Sequence, residues 1–312
     1  MPRVIVLALL AALAAAPPAA ARDNAWLDRK VLNIAHQGGE IEAPSNTMHA
    51  LRTSLDKGVD VLEIDVHATK DGEVVVIHDA TVDRTTNGTG RVDAMTLEQL
   101  QRLDAAHWFV PGTGTVRGRP EADYALRGIA TGQRPAPKGT RREDFRIPTL
   151  REVLEAFPDT LVNIEIKATA PETPAYEEEV ARLLAEFGRT DDAIVVSFLD
   201  HALERFKLLA PFVDTATGTG QAAAFWASAQ GPLPGAPNPR YKALQVPPSL
   251  GVTVVTKDFV ARAHANGLAV HVWTINDRAE MERLIDLGVD GVMTDRPTLL
   301  EAVLRERGVS PG

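Results

Sequence analysis

Apolar and polar positions alternate along this chain in two periods. Short runs rich in Val, Ile and Leu occupy residues 31–35, 61–66, 74–77, 161–166, 193–197, 212–217, 242–246, 268–273 and 290–293. Most of these runs lead into a stretch with apolar residues three and four apart, the spacing of one helix face. Those stretches predict helices over 96–103, 149–156, 175–187, 200–209, 221–229, 256–265, 277–287 and 297–306. A further helix is expected where Met48, Leu51 and Leu55 recur behind Ser45 or Asn46 as a cap. Repeated strand–helix units mean a parallel sheet with right-handed crossovers. This many in one domain predict an α/β fold, a closed (β/α)8 barrel of the TIM type; a doubly wound open sheet is the alternative.

Two stretches break the alternation. Residues 60–79, DVLEIDVHATKDGEVVVIHD, read as two apolar strands joined by Thr69-Lys70-Asp71-Gly72. Asp-Gly supplies positive φ at little cost, which is hairpin chemistry. Pairing Thr69 with Gly72 sets Glu63 opposite His78; a bulge at Gly72 shifts that by one. The second hairpin strand has no crossover helix, so it accounts for a count of nine strands, one more than a barrel needs. Residues 105–147, rich in Gly, Pro and Arg, read as an inserted excursion over the surface with His107, Trp108 and Phe109 at its front. A Pro-rich loop, PLPGAPNP, follows the 221–229 helix.

Polar residues collect where strands end. His36 follows the first strand, Glu63 and Asp65 lie in the second, His78-Asp79 follow the hairpin, and Glu165 and Lys167 close the next. Trp273 and Thr294-Asp295 end late strands. In a barrel all these ends meet at one face. Residues i and i+2 of a strand point the same way, so Glu63 and Asp65 share a side and Glu165 can join them. Three carboxylates in a small volume repel unless a cation joins them, and an all-oxygen set suits Ca2+, Mg2+ or Mn2+. His36 and His78 flank that point with no thiol or hydroxyl nucleophile nearby, which fits paired general acid and base work. Simpler roles stay open: a Glu165–Lys167 salt bridge, a structural histidine, Trp273 in the core rather than a substrate wall. Asp79 is expected to orient the His78 loop, and Arg84 either to hold that loop or to reach a phosphate. No P-loop, dinucleotide fingerprint or nucleophile elbow is present.

Composition narrows the setting. The chain has 312 residues, 45% hydrophobic and 24% charged, with a net charge of −9. That length suits one large domain, and the acidity argues against nucleic acid as a partner. Residues 1–21 read as a cleavable signal peptide: Arg3 as the basic region, Val4 to Ala15 as the apolar region, and a small-residue site with cutting after Ala21. An uncleaved anchor is the competing reading, although the run is short for a membrane span. Cysteine is absent, so there is no disulfide, thiolate ligand or lipidation site of that type. The expectation is a periplasmic or secreted protein with no stable membrane anchor after cleavage.

Taken together and in order, His36-Gln37-Gly38, Ala43-Pro44-Ser45-Asn46-Thr47, Glu63-Ile64-Asp65-Val66, Thr69-Lys70-Asp71-Gly72, His78-Asp79, Asp83-Arg84-Thr85-Thr86, Ile164-Glu165-Ile166-Lys167, Trp273-Thr274 and Gly288-Val289-Asp290-Gly291 with Thr294-Asp295 resemble the glycerophosphodiester phosphodiesterases. The resemblance implies a phosphodiesterase barrel with an inserted segment, a divalent cation on Glu63, Asp65 and Glu165, His36 and His78 as the acid/base pair, and Lys167 on the phosphate of a small-molecule phosphodiester. It implies cleavage of a glycerophosphodiester to glycerol 3-phosphate and an alcohol. Two positions depart from the family pattern: Gln37 stands where Arg is usual and Ser45 where Glu is usual. Gln37 can donate to phosphate but brings no charge, so Arg84 is expected to compensate or the substrate differs. The departures, with Trp108-Phe109, raise a lysophospholipase D or sphingolipid phosphodiesterase on the same barrel as the alternative. A non-catalytic exported phosphodiester-binding protein is a third reading.

Overall fold

The Val- and Ile-rich runs become strands because both of their faces are buried, one toward a barrel axis and one under helices. The computed structural model describes residues 24–27, 30–231 and 240–309; the predicted signal peptide and the PLPGAPNP loop lie outside them. From the start, β1 (Leu32–Ala35) leads through α1 (Met48–Asp56) to β2 (Val61–Ala68), which folds back on β3 (Val74–Val76). Next come α2 (Leu97–Gln101), the short β4 (Phe109–Val110) and β5 (Gly114–Thr115), then α3 (Leu150–Ala156) and β6 (Leu161–Ile166). Strict alternation follows: α4 (Glu177–Glu186), β7 (Ala193–Val196), α5 (Asp200–Leu209), β8 (Asp214–Thr215), α6 (Thr219–Ala229) and β9 (Ala243–Val246). It ends with α7 (Lys257–Ala265), β10 (Ala269–Val272), α8 (Arg278–Leu287), β11 (Gly291–Thr294) and α9 (Pro297–Glu306).

Eight strands pair in the order β8-β7-β6-β2-β1-β11-β10-β9. The two ends of that path meet: Ala216 bridges Ala243 in parallel. Thr217 N donates to Ala243 O at 2.9 Å, and Lys242 N to Thr215 O at 2.9 Å. The sheet therefore closes into a (β/α)8 barrel of the TIM type, and the open doubly wound alternative is excluded. As expected, β3 stands off this path, antiparallel to β2.

The hairpin register is the bulged one. Val66 faces Val76 and Ala68 faces Val74, and Thr69 N donates to Glu73 O at 2.8 Å around Gly72 at φ +87°. The loop thus has one residue more than a tight turn, and Glu63 is not opposite His78. After β3 the chain leaves the ladder, with Ile77 N still donating to Asp65 O at 2.9 Å. The α1 cap also differs. Thr47 caps the helix, accepting from Ala50 N at 3.2 Å, because the side chains of Ser45 and Asn46 are drawn into the site described below.

The N-terminal end of the barrel is sealed by Trp26. Its ring is 2% exposed among Ile34, Val61, Ala216, Ala243 and Ala269, and its Nε1 donates to Asp214 Oδ2 at 3.0 Å. Asn24 Nδ2 holds this segment by donating to Lys242 O at 2.6 Å and Gly267 O at 2.8 Å. Residues 105–147 carry little regular structure but are not bare surface: Phe109, Tyr124, Ile129 and Phe145 are buried. The Arg127 guanidinium lies 3.7 Å from the Tyr124 ring centre and 4.7 Å from that of Trp108, a stack that burial strengthens. Phe109 is buried and Trp108 Nε1 donates to Thr86 O at 2.8 Å, and neither residue lines the cavity described below.

Candidate active site

The site grows out of β1. The turn after Ala35 runs through three left-handed residues, Gln37 at φ +53°, Gly38 at +75° and Gly39 at +81°. A Cβ on Gly38 would stand 2.9 Å from Ala50 Cβ, so only glycine fits there. This tight path aims Gln37 N at Glu63 Oε2, 2.8 Å away. Asn46, also left-handed at φ +56°, turns its Nδ2 to Asp65 Oδ2 at 2.8 Å.

β2 and β6 are parallel neighbours in a register that sets Asp65 beside Glu165. Glu63, Asp65 and Glu165 each offer one oxygen, and these oxygens lie within 4.8 Å of one another. Burial pushes the Glu63 carboxyl up, and the charges of Asp65 and Glu165 help carry it to about 8. Burial also raises Glu165. For Asp65 burial acts the same way, but the charges of Lys167 and the two histidines outweigh it and hold the carboxyl below its usual range. Asp65 Oδ1 is buried and accepts no hydrogen bond, although the Lys167 ammonium stands 3.3 Å away. An orphan carboxylate oxygen within an all-oxygen triad fits a hard divalent cation.

The two imidazoles are mounted alike. His36 Nδ1 lies 2.6 Å from Asp295 Oδ1, and His78 Nδ1 lies 2.7 Å from Asp79 Oδ1. Both rings line the cavity with centres 6.4 Å apart, and each Nε2 has a neighbour: Gln37 Nε2 lies 3.4 Å from that of His36, and Lys167 stands against that of His78. Burial pulls the His36 pKa down, but the Asp295 hydrogen bond and the charges of Glu63, Asp295 and Asp65 win and raise it to about 9. Lys167 Nζ lies 3.2 Å from His78 Nε2 and 3.0 Å from Glu165 Oε1. An ammonium only donates, so this contact requires a bare Nε2 on His78 and a proton on Nδ1, facing Asp79.

The remaining candidates divide. Lys167 and Trp273 line the cavity. Gln37 is 2% exposed beneath it. Its side chain accepts from Ser45 Oγ and from Arg84 Nη2 at 3.4 Å. The two departures from the family pattern thus bond each other. Arg84 is turned to Asp79 at 2.8 Å and Glu40 at 3.1 Å, which favours the loop-holding role over phosphate contact. Sequence reasoning missed the partner of His36. Asp295 is set there because β11 lies beside β1. It is itself held by Asn276 Nδ2 at 2.6 Å, and nothing local in the sequence signals that pairing.

The sequence profile of the glycerophosphoryl diester phosphodiesterase family matches residues 36–299. The chain belongs to that family. It is 34% identical over 285 residues to the glycerophosphodiester phosphodiesterase of Caldanaerobacter subterraneus subsp. tengcongensis, covering 89% of this chain and 100% of that protein. A Bacillus altitudinis glycerophosphodiester phosphodiesterase is 32% identical, covering 85% of this chain and 94% of the relative. The crystal structure of a glycerophosphodiester phosphodiesterase from Agrobacterium tumefaciens str. C58 superposes with a TM-score of 0.65 at 25% identity, over 86% of this chain and 98% of the other. This family member is therefore an enzyme, a phosphoric diester hydrolase acting on a small-molecule glycerophosphodiester. The family is in general dependent on a divalent metal, and among the described residues the acidic triad is a group that could hold one.

Proposed function

We propose that this exported hydrolase splits glycerophosphodiesters to glycerol 3-phosphate and an alcohol, with His36 and His78 as its acid/base pair. The observation that carries the reading is the matched mounting of the two imidazoles beside one acidic triad. His78, with a bare Nε2, takes the proton of the substrate glycerol's 2-hydroxyl. The 2-oxygen forms a bond to phosphorus as the bond to the leaving oxygen breaks. His36, held protonated by Asp295, gives its proton to that oxygen. Water then opens the cyclic phosphate with the two roles reversed. Glu63, Asp65 and Glu165 would hold the cation, which supplies Lewis-acid stabilisation of the phosphoryl oxygens. Lys167 adds positive charge to the same oxygens. Gln37 fixes the Glu63 carboxylate through its backbone and shapes the floor under His36. Trp273 serves as a substrate wall, and Arg84 keeps Asp79 on His78.

Release of glycerol 3-phosphate from glycerophosphocholine, supported by Mg2+, Ca2+ or Mn2+ and lost with EDTA, is the expected result. No turnover with any of the three ions overturns the reading. Export rests on the leader alone, and N-terminal sequencing of the mature protein is expected to begin at Arg22.

A further inference from the structure

The two imidazoles of the acid/base pair are anchored by different routes. His36 takes its carboxylate from another strand: Asp295 follows β11, the neighbour of β1. His78 takes its carboxylate from the next residue, Asp79. Asp79 is held in turn by Arg84, five residues further along the same loop. Arg84 also reaches Glu40, in the turn after β1. This arrangement fixes the His78 ring relative to its own loop. It does not fix the loop relative to β2, where Glu63 and Asp65 stand.

The strand ladder stops short of His78. β3 ends at Val76, and beyond it Ile77 N donates to Asp65 O at 2.9 Å. The next link from β2 is a side chain: His67 Nε2 lies 3.1 Å from His78 O. A carbonyl only accepts, so the proton sits on Nε2 and His67 is the donor. His67 follows Asp65 by two residues in β2 and is 5% exposed. It therefore ties the backbone of His78 to the strand that carries two of the three triad carboxylates. Packing alone does not confine the loop. A recess of about 440 Å³ opens beside it, lined in part by His67, His78, Ala80, Glu172 and Leu199. The His78 side chain is 34% exposed.

We propose that His67 is a positioning residue for His78: its Nε2–H, bonded to the His78 carbonyl, sets that imidazole at its distance from Glu63, Asp65 and Glu165. The inference rests on the function proposed above, in which His78 takes the proton of the 2-hydroxyl. His67 does no chemistry itself, because its proton is committed to a carbonyl and it does not line the cavity that His36 and His78 share. Its effect is on geometry, to which proton transfer is steeply sensitive. Without the donor, the His78 carbonyl loses its partner from β2 and the loop is free to shift toward the recess.

The test is a mutant cycle with glycerophosphocholine as substrate. His67→Leu removes the donor, and His67→Gln keeps an N–H at similar reach. The Leu variant is expected to lower kcat about 10- to 100-fold with KM within about twofold of the native value. The Gln variant is expected to keep kcat within about threefold of native, since it restores the bond. In a His78→Ala background, His67→Leu is expected to change kcat less than about twofold, because nothing remains to be positioned. A loss that persists undiminished in that background, or a Gln variant as impaired as Leu, overturns the inference and leaves the proposed function standing. A second readout needs no variant: imidazole 15N shifts of the native protein are expected to place the His67 proton on Nε2, and a bare Nε2 overturns the inference. Turnover by His78→Ala within about tenfold of native sinks the acid/base reading, and the inference with it.

Discussion

Two imidazoles of the same barrel, one partly exposed and one buried, are driven in opposite directions. His36, at the C-terminal end of β1, is raised to about 9; burial pulls it down, but Asp295, Glu63 and Asp65 outweigh burial. His271, inside β10, is lowered to about 4 by burial alone. Its neighbours are the edge of the Trp26 ring, with centres 5.8 Å apart, and Gln245 Nε2 at 3.3 Å from Nδ1; its Nε2 has no partner. Burial penalises charge equally in kind at both places. The difference is made by the carboxylates against the ring: Asp295, Glu63 and Asp65 act on His36, and His271 is shifted by burial alone. One end of the barrel opens into the cavity, and the other is closed by Trp26.

The largest expected effect breaks the chemical end. His36→Ala and His78→Ala should each lower kcat/KM on glycerophosphocholine about 10³-fold, with far-UV circular dichroism unchanged. A tenfold loss or less would show that the pair is not the acid and base. The plug is probed next. Trp26→Ala should cost about 3–5 kcal/mol of stability in urea unfolding, while the protein that remains folded keeps its turnover rate.

His271 supplies a pH test of the comparison. Its folded pKa lies below its ordinary value of 6.5, so the stability it contributes is complete above pH 6.5. That stability is lost as pH falls toward 4. Relative to His271→Gln, the native protein should lose on the order of 3 kcal/mol across that window. A parallel pH dependence of the two proteins would show that His271 does not stay neutral in the fold. The smallest effect sharpens the role of Asp295. Asp295→Asn should lower kcat about 10- to 100-fold and move the alkaline limb of the kcat/KM profile to lower pH. The sign follows from an acid at about 9: activity falls as pH rises through its pKa, and removing the carboxylate lowers that pKa. An unmoved limb would assign it to another group.

Much of this was legible in the chain because the signals are local. Strand and helix periods, the Asp-Gly turn and polar residues at strand ends are each read within a few positions, and they led to the barrel, to Glu63, Asp65 and Glu165, and to both histidines. The misses involve partners distant in sequence or a single residue of register. Gly72 bulges the hairpin and removes the Glu63–His78 pairing. Asn46 leaves its expected cap to reach Asp65, nineteen positions away. Trp108 is spent on Arg127 and Tyr124.

The sequence by itself determined which side chains the strand ends carry, since strand period and turn chemistry act over a few residues. Only the tertiary structure decided how they pair. Closing the barrel brings β11 beside β1 and β6 beside β2, and that adjacency, set by packing across the whole chain, puts Asp295 on His36 and Glu165 beside Asp65. The same adjacency leaves His271 with no carboxylate acting on it, so two residues of one type in one barrel are shifted in opposite directions.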